Sequence, residues 1–98
     1  MNIQQTQEGP KLTIALQGRL DTITAPQLEK TVKGALDGVT ELVFDFAGLD
    51  YLSSAGLRVI LSAQKIMNKQ GRMVVCHVNE TIREVFEVTG FINILTIQ

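Results

Sequence analysis

Leu42-Val43-Phe44-Asp45-Phe46-Ala47-Gly48-Leu49-Asp50-Tyr51-Leu52-Ser53-Ser54-Ala55-Gly56-Leu57-Arg58 is the stretch that decides the fold. Leu42, Phe44 and Phe46 recur at every second position, the spacing of a strand with one face on a core. Val43 is apolar on the other face, where Asp45 is a charged interruption. A loop is expected through Gly48, Leu49 and Asp50. From Ser53 the period changes to that of a helix, expected to run to about Lys69. Its apolar stripe is Leu57, Ile60, Leu61 and Met67, with Gln64 as one polar slip. Gly71 stops it.

Working outward, Lys11 to Gln17 alternates in the same way, with Leu12, Ile14 and Leu16 on one face and Thr13, Ala15 and Gln17 on the other. That alternation suggests a sheet with one face less covered than the other. Ile3 to Gln7 is a weaker strand candidate, and the short Gly9-Pro10 connection favours an antiparallel hairpin. Thr24 with Gln27 three residues on reads as a capping box, with Pro26 in the first helical turn. Leu28, Val32, Ala35 and Leu36 continue that helix to Gly38. Met73 to Val78 is apolar on both faces apart from His77 and reads as a central strand. Asn79 caps a short third helix with Ile82, Val85 and Phe86 as its buried stripe, and Gly90 ends it. Ile92, Ile94 and Leu95 are expected in a last strand.

The expected order is strand, strand, helix, strand, helix, strand, helix, strand. Alternation after the first hairpin implies right-handed crossovers and parallel strands. The expected fold class is therefore α/β, with a mixed, mostly parallel sheet and alternating helices. At 98 residues the chain is long enough for one core, so residues 1–98 are expected to form a single domain. Hydrophobic residues make up 45% of it, which argues against disorder.

Nine basic and ten acidic residues leave a formal charge of -1, without a basic block. Nucleic acid and direct contact with an anionic membrane are thereby disfavoured as partners. The N-terminus lacks the basic and apolar regions of a signal peptide, and no run of 18 apolar residues occurs; a soluble cytoplasmic protein is the expectation.

Few residues suggest chemistry. Cys76 lies in an apolar run and reads as a small core residue. His77, the single histidine, is expected on the strand face opposite Cys76, without metal-ligand spacing around it. No G-x-S-x-G elbow surrounds Ser53 or Ser54, and no phosphate-binding glycine loop is present. Asp21, Asp45 and Asp50 fall near strand ends, where aspartates commonly serve turns and caps. No enzyme activity, metal or cofactor is expected. Ser53 and Ser54 stand where a loop becomes a helix. Either could cap it, and a phosphoryl group there would be favoured by the helix dipole by about 0.3–1 kcal/mol. Gly56 would let a partner or a neighbouring strand approach closely.

The segment Leu49 to Leu61 resembles the signature of the STAS family, and specifically of bacterial anti-sigma factor antagonists. Gly18-Arg19-Leu20-Asp21 is similar to the family's Gly-x-Leu-Asp motif. Gly71-Arg72-Met73-Val74-Val75-Cys76 is similar to its Gly-x-apolar strand, and Phe86-Glu87-Val88-Thr89-Gly90-Phe91 to its Phe-x-x-x-Gly-apolar ending. The resemblance implies a binding module whose partner is an anti-sigma factor with serine kinase activity. It implies phosphorylation of a serine at the start of the second long helix, which releases the partner, and a serine phosphatase that resets the switch. The phosphorylated position falls on Ser54, with Ser53 as the second acceptor; the family's aspartate before the first helix falls on Asp21. The sequence departs from the family pattern in having Ser53 where an aspartate usually precedes the acceptor, and Ala55 where Ser or Thr often follows it. The expected partner-binding residues are Asp21, Thr22, Asp50, Ser53, Ser54, Gly56 and Arg58. The alternative is an unphosphorylated STAS module of a transport complex or stress-sensing scaffold, in which Ser54 is only a cap.

Overall fold

In the computed structural model, which describes residues 1–98, the alternating residues of three strands line up in rows. Leu12 pairs with Leu42 and Leu42 with Met73; Ile14 pairs with Phe44 and Phe44 with Val75. These residues are almost fully buried, whereas Thr13, Ala15, Val43 and Asp45, one position on, are only half-buried. One face of the sheet therefore carries the core, and the other is more open, as the alternation suggests, although Val74, which pairs with Val43 on it, is buried.

The strands are β1 (Asn2–Glu8), β2 (Lys11–Leu20), β3 (Glu41–Leu52) and β4 (Arg72–Cys76), in spatial order β1-β2-β3-β4. β1 and β2 form the antiparallel hairpin, while β2, β3 and β4 are parallel. The helices are α1 (Ala25–Ala35), α2 (Ser54–Gln70) and α3 (Glu80–Thr89). Leu28 and Val32 of α1, Leu57, Ile60, Ala63 and Met67 of α2, and Ile82 and Phe86 of α3 join the inner sheet face in one 24-residue cluster. The fold is the mixed, mostly parallel α/β sheet expected. No helix is long and apolar enough to cross a membrane.

Two close approaches depend on glycine. A Cβ on Gly71 would lie 1.9 Å from the Thr40 carbonyl oxygen, the atom that accepts the Arg72 N–H at 2.9 Å. That contact brings the end of α2 against the start of β3. A Cβ on Gly56 would lie 2.6 Å from Leu20 Cγ and 2.9 Å from Leu52 Cδ1. Of the two approaches expected at Gly56, by a partner or by a neighbouring strand, the structure shows the second: the space is filled by the protein's own strands.

Several local expectations are corrected. β3 does not end at Phe46. Gly48, Leu49, Tyr51 and Leu52 continue to pair with Gln17, Gly18, Arg19 and Leu20 across two irregularities in register. Such bulges absorb extra residues without breaking the sheet, so Ala47-Gly48 resembles a loop in sequence while remaining strand. Thr24 is the N-cap of α1, but its side chain makes no capping hydrogen bond. Its hydroxyl instead accepts the Asp21 N–H at 2.9 Å and donates to the Arg19 carbonyl at 2.7 Å.

The last strand is also absent as a strand. Gly90 takes a left-handed conformation (φ 80°), and Phe91–Asn93 form a 3-10 turn. The N–H groups of Ile94 and Leu95 both bond to the Phe91 carbonyl, which satisfies them locally. Only a single parallel bridge, Val75 to Ile97, extends the sheet. Leu95 is buried as expected. Gln64 is also buried; its amide donates to Asn68 at 2.8 Å, and its carbonyl oxygen has no partner.

Candidate functional site

The turn after β2 and the start of α2 are tied together by backbone. The Ser53 N–H donates to the Leu20 carbonyl at 2.9 Å. Asp21 follows Leu20 and folds its own turn: Oδ1 accepts the N–H groups of Ile23 at 3.0 Å and Thr24 at 3.1 Å. The Thr24 N–H bond above all, then those from Ile23 and the Thr24 hydroxyl and the charge of Arg19, hold the Asp21 carboxyl below its usual range, against a smaller opposing effect of desolvation. Arg19 reaches Asp21 at 3.7 Å and lies over the Tyr51 ring, 4.2 Å from its centre. Asp21 is thus the organiser of this turn.

The two serines are physically different. Ser53 is the N-cap of α2, in extended conformation, and its hydroxyl accepts the Gly56 N–H at 3.3 Å. Ser54 is the first helical residue, exposed, and its hydroxyl has no hydrogen-bond partner within the chain. The cap holds the helix end, and the neighbouring hydroxyl is left facing outward.

Beside Ser54, α1 and α2 enclose an open groove of about 300 Å3 lined by Thr22, Ala25, Pro26, Glu29, Ala55, Arg58, Val59 and Ser62. The structure therefore brings Asp21, Thr22, Ser53, Ser54 and Arg58 to one end of the molecule. Asp50 is exposed near the end of β3 and lines no part of the groove. Gly56 is buried underneath, and Leu57 and Ile60 attach α2 to the core.

Two residues of this end escaped the sequence reading. Ile23, in the Asp21 turn, is 87% exposed, and Tyr51 is 40% exposed beneath Arg19. An isoleucine inside the polar run Asp21-Thr22-Ile23-Thr24 was the available signal.

A separate cluster occupies the open sheet face. β4 ends at Cys76, and His77 has a positive φ of 58°, the one non-glycine residue that does. The imidazole is consequently not opposite Cys76, as expected for a continuing strand. Its Nδ1 lies 2.8 Å from Asp45 Oδ1 and 3.6 Å from Cys76 Sγ. Asp45 also accepts the Ala47 N–H at 2.9 Å; this bond first, and that with His77 second, lower its pKa. Burial, and then the Asp45 charge, raise that of Cys76. No hydrogen bond joins either serine to His77; the side chain beside the Asp45–His77 pair is the Cys76 thiol.

A four-stranded mixed sheet with three helices is the SpoIIAA-like STAS fold. The family model of that name, STAS domain, matches residues 2–98, and the chain belongs to this family. It is 41% identical over 88 residues to BtrV of Bordetella bronchiseptica, assigned as an anti-sigma factor antagonist, with 88% of this chain and 76% of BtrV covered. It is 30% identical over 102 residues to the anti-sigma F factor antagonist of Paenibacillus polymyxa, covering 99% and 87% of the two chains. The unphosphorylated anti-sigma factor antagonist SpoIIAA shares the fold, with a TM-score of 0.79, 21% identity and coverage of 99% and 87%. The phosphorylated form of SpoIIAA from Bacillus gives a TM-score of 0.78 at 22% identity, covering 99% and 91%.

Proposed function

We propose that this chain is an anti-sigma factor antagonist whose binding is switched off by phosphorylation of Ser54. Its partner is an anti-sigma factor with serine kinase activity, and a serine phosphatase restores the binding form. The chain acts as a binding protein in the cytoplasm and as a substrate of the kinase, without catalysis of its own. The observation that carries this reading is the division between the serines: Ser53 is engaged as the cap, and Ser54 is outward and free. The curated relatives named as anti-sigma factor antagonists support the partner class.

The physical basis of the switch is charge at a surface that tolerates it. A phosphoryl group on Ser54 sits at the positive end of α2, so the domain stays folded. The formal charge moves from -1 to about -3. An interface built around a neutral hydroxyl must then desolvate a dianion, and a cost of about 2.8 kcal/mol is a hundredfold in affinity. Incubation with the cognate anti-sigma kinase and ATP, followed by intact-mass and fragmentation spectrometry, should find one phosphate, on Ser54. Calorimetry should show weakened binding. Phosphate on Ser53 would move the site; no phosphorylation, with undiminished binding by Ser54→Asp, would overturn the switch.

A further inference from the structure

We propose that Asp45, Cys76 and His77 form a binding site for one divalent transition-metal ion of the zinc class, on the sheet face opposite the helices. The site is independent of the partner-binding reading. Its three donor atoms, a carboxylate oxygen, a sulfur and an imidazole nitrogen, all lie within 4.8 Å of one another. Ligand bonds of roughly 2.0–2.3 Å in tetrahedral geometry put an imidazole nitrogen and a sulfur about 3.6 Å apart. The observed separation of His77 Nδ1 and Cys76 Sγ is 3.6 Å. Nitrogen and carboxylate oxygen on the same ion stand about 3.3 Å apart by the same geometry. The pair here is at 2.8 Å, a direct hydrogen bond, so a small rotation of the exposed imidazole admits the ion.

The arrangement exists because of the backbone. Consecutive strand residues point to opposite faces. Asp45 and Cys76 are paired in register on the open face, so a continuing strand would send His77 to the core side. The left-handed conformation at His77 ends β4 and turns the ring back over Asp45 and Cys76. Strain held at a non-glycine residue beside convergent donors is a mark of a functional position.

Thiolate, imidazole and carboxylate are the three zinc ligand types, whereas magnesium and calcium prefer oxygen alone. Three protein ligands leave a fourth position for water. On binding, the Cys76 S–H bond breaks, its electron pair forms the sulfur–metal bond, and one proton passes to solvent. With the Asp45 carboxylate, the two negative ligands neutralise the ion's charge. No electron is transferred, and no co-reactant is needed.

The chain has one cysteine and one histidine, so thiolate and imidazole ligation report on this site alone. Cobalt(II) added to the purified protein should give a thiolate-to-cobalt charge-transfer band, saturating at one ion per chain and displaced by zinc. Cys76→Ser should abolish the band. His77→Asn should weaken cobalt binding at least about tenfold, because loss of even an outer-shell partner costs that much. Asparagine tolerates the left-handed backbone, so the fold, checked by circular dichroism, is kept. Absence of the band would overturn the proposal. So would saturation at half an ion per chain with dimerisation, or unchanged affinity in His77→Asn.

Discussion

The N–H of Ser53 donates to the carbonyl of Leu20 at 2.9 Å, and this bond makes the Asp21 turn and the start of α2 one mechanical unit. Leu20 also fills the space left by Gly56 on the first turn of α2. Anything that shifts Leu20 therefore shifts the segment that presents Ser54, and the reverse holds as well.

Gly56→Ala tests that unit. The added methyl would meet the branch carbon of Leu20 and a methyl of Leu52, neither of which can swing clear without repacking the core. The expected loss is about 1–3 kcal/mol. It should appear in urea unfolding as a lower midpoint with an unchanged slope. Wild-type stability in this variant would show that Leu20 yields more easily than its burial suggests.

The two serines should separate in stability as well as in phosphorylation. Ser53→Ala removes the acceptor of the Gly56 N–H and should cost about 1 kcal/mol, the usual value of an N-cap. Ser54→Ala removes no contact and should stay within about 0.5 kcal/mol of wild type. Under the proposed function Ser53→Ala remains a kinase substrate and Ser54→Ala does not. Thermal unfolding paired with intact-mass spectrometry reads both effects on the same samples.

Acid should destabilise the protein through Asp21, Asp45 and Glu41, of which Asp21 and Glu41 lie outside the Cys76–His77 cluster. Both of these outlying carboxyls are lowered from their ordinary values of 3.8 and 4.5: Asp21 chiefly by the Thr24 N–H, Glu41 chiefly by its bond to Arg72. A depressed folded-state pKa means that the unfolded chain binds protons first as pH falls. Their stabilising contribution is complete above the ordinary carboxylate values and is lost as pH drops through the lowered ones. Asp21→Asn should therefore flatten the acid limb of a plot of melting temperature against pH, leaving the neutral limb parallel to wild type. An unchanged acid limb would place the sensitivity elsewhere.

Much of this was legible in the sequence, and the failures share a cause. The rows Leu12, Ile14, Leu16 and Leu42, Phe44, Phe46 announce two strands because three apolar residues in strict alternation put one face of each on the core. Asn79 behaves as the local rule requires, accepting the Ile82 N–H at 2.9 Å while also donating to the Leu49 carbonyl at 3.0 Å. The rule fails at Thr24, where the Arg19 carbonyl and Asp21 N–H compete for the hydroxyl. It fails again at Ala47-Gly48, where pairing with β2 keeps a glycine-bearing segment extended. Ile92 and Ile94 carry strand-like residues, but the left-handed Gly90 directs them into a local turn. The Ser53–Ser54 helix start could be read from residue type. Cys76 and His77 could not be placed on one face, because nothing in the sequence marks a histidine for positive φ.

Ile23 offers the sharpest test of where a partner docks. It is 87% exposed on the turn that Asp21 folds, and its neighbour Thr22 lines the groove between α1 and α2. A large aliphatic side chain held outward on an ordered turn gives a partner apolar area at little entropic cost. If the anti-sigma factor covers it, truncation to alanine removes three buried carbon atoms, worth about 2 kcal/mol, or about thirtyfold in affinity. Most of that change should appear as faster dissociation. The same truncation should leave the melting temperature unchanged, because the side chain contributes almost nothing to the core. Val88, 82% exposed on α3, supplies the control. Val88→Ala is equally harmless to the fold and should not alter binding. Calorimetry and surface plasmon resonance on both variants decide the point. Binding by Ile23→Ala within about twofold of wild type, or an equal loss in Val88→Ala, would move the docking surface away from the Asp21 turn.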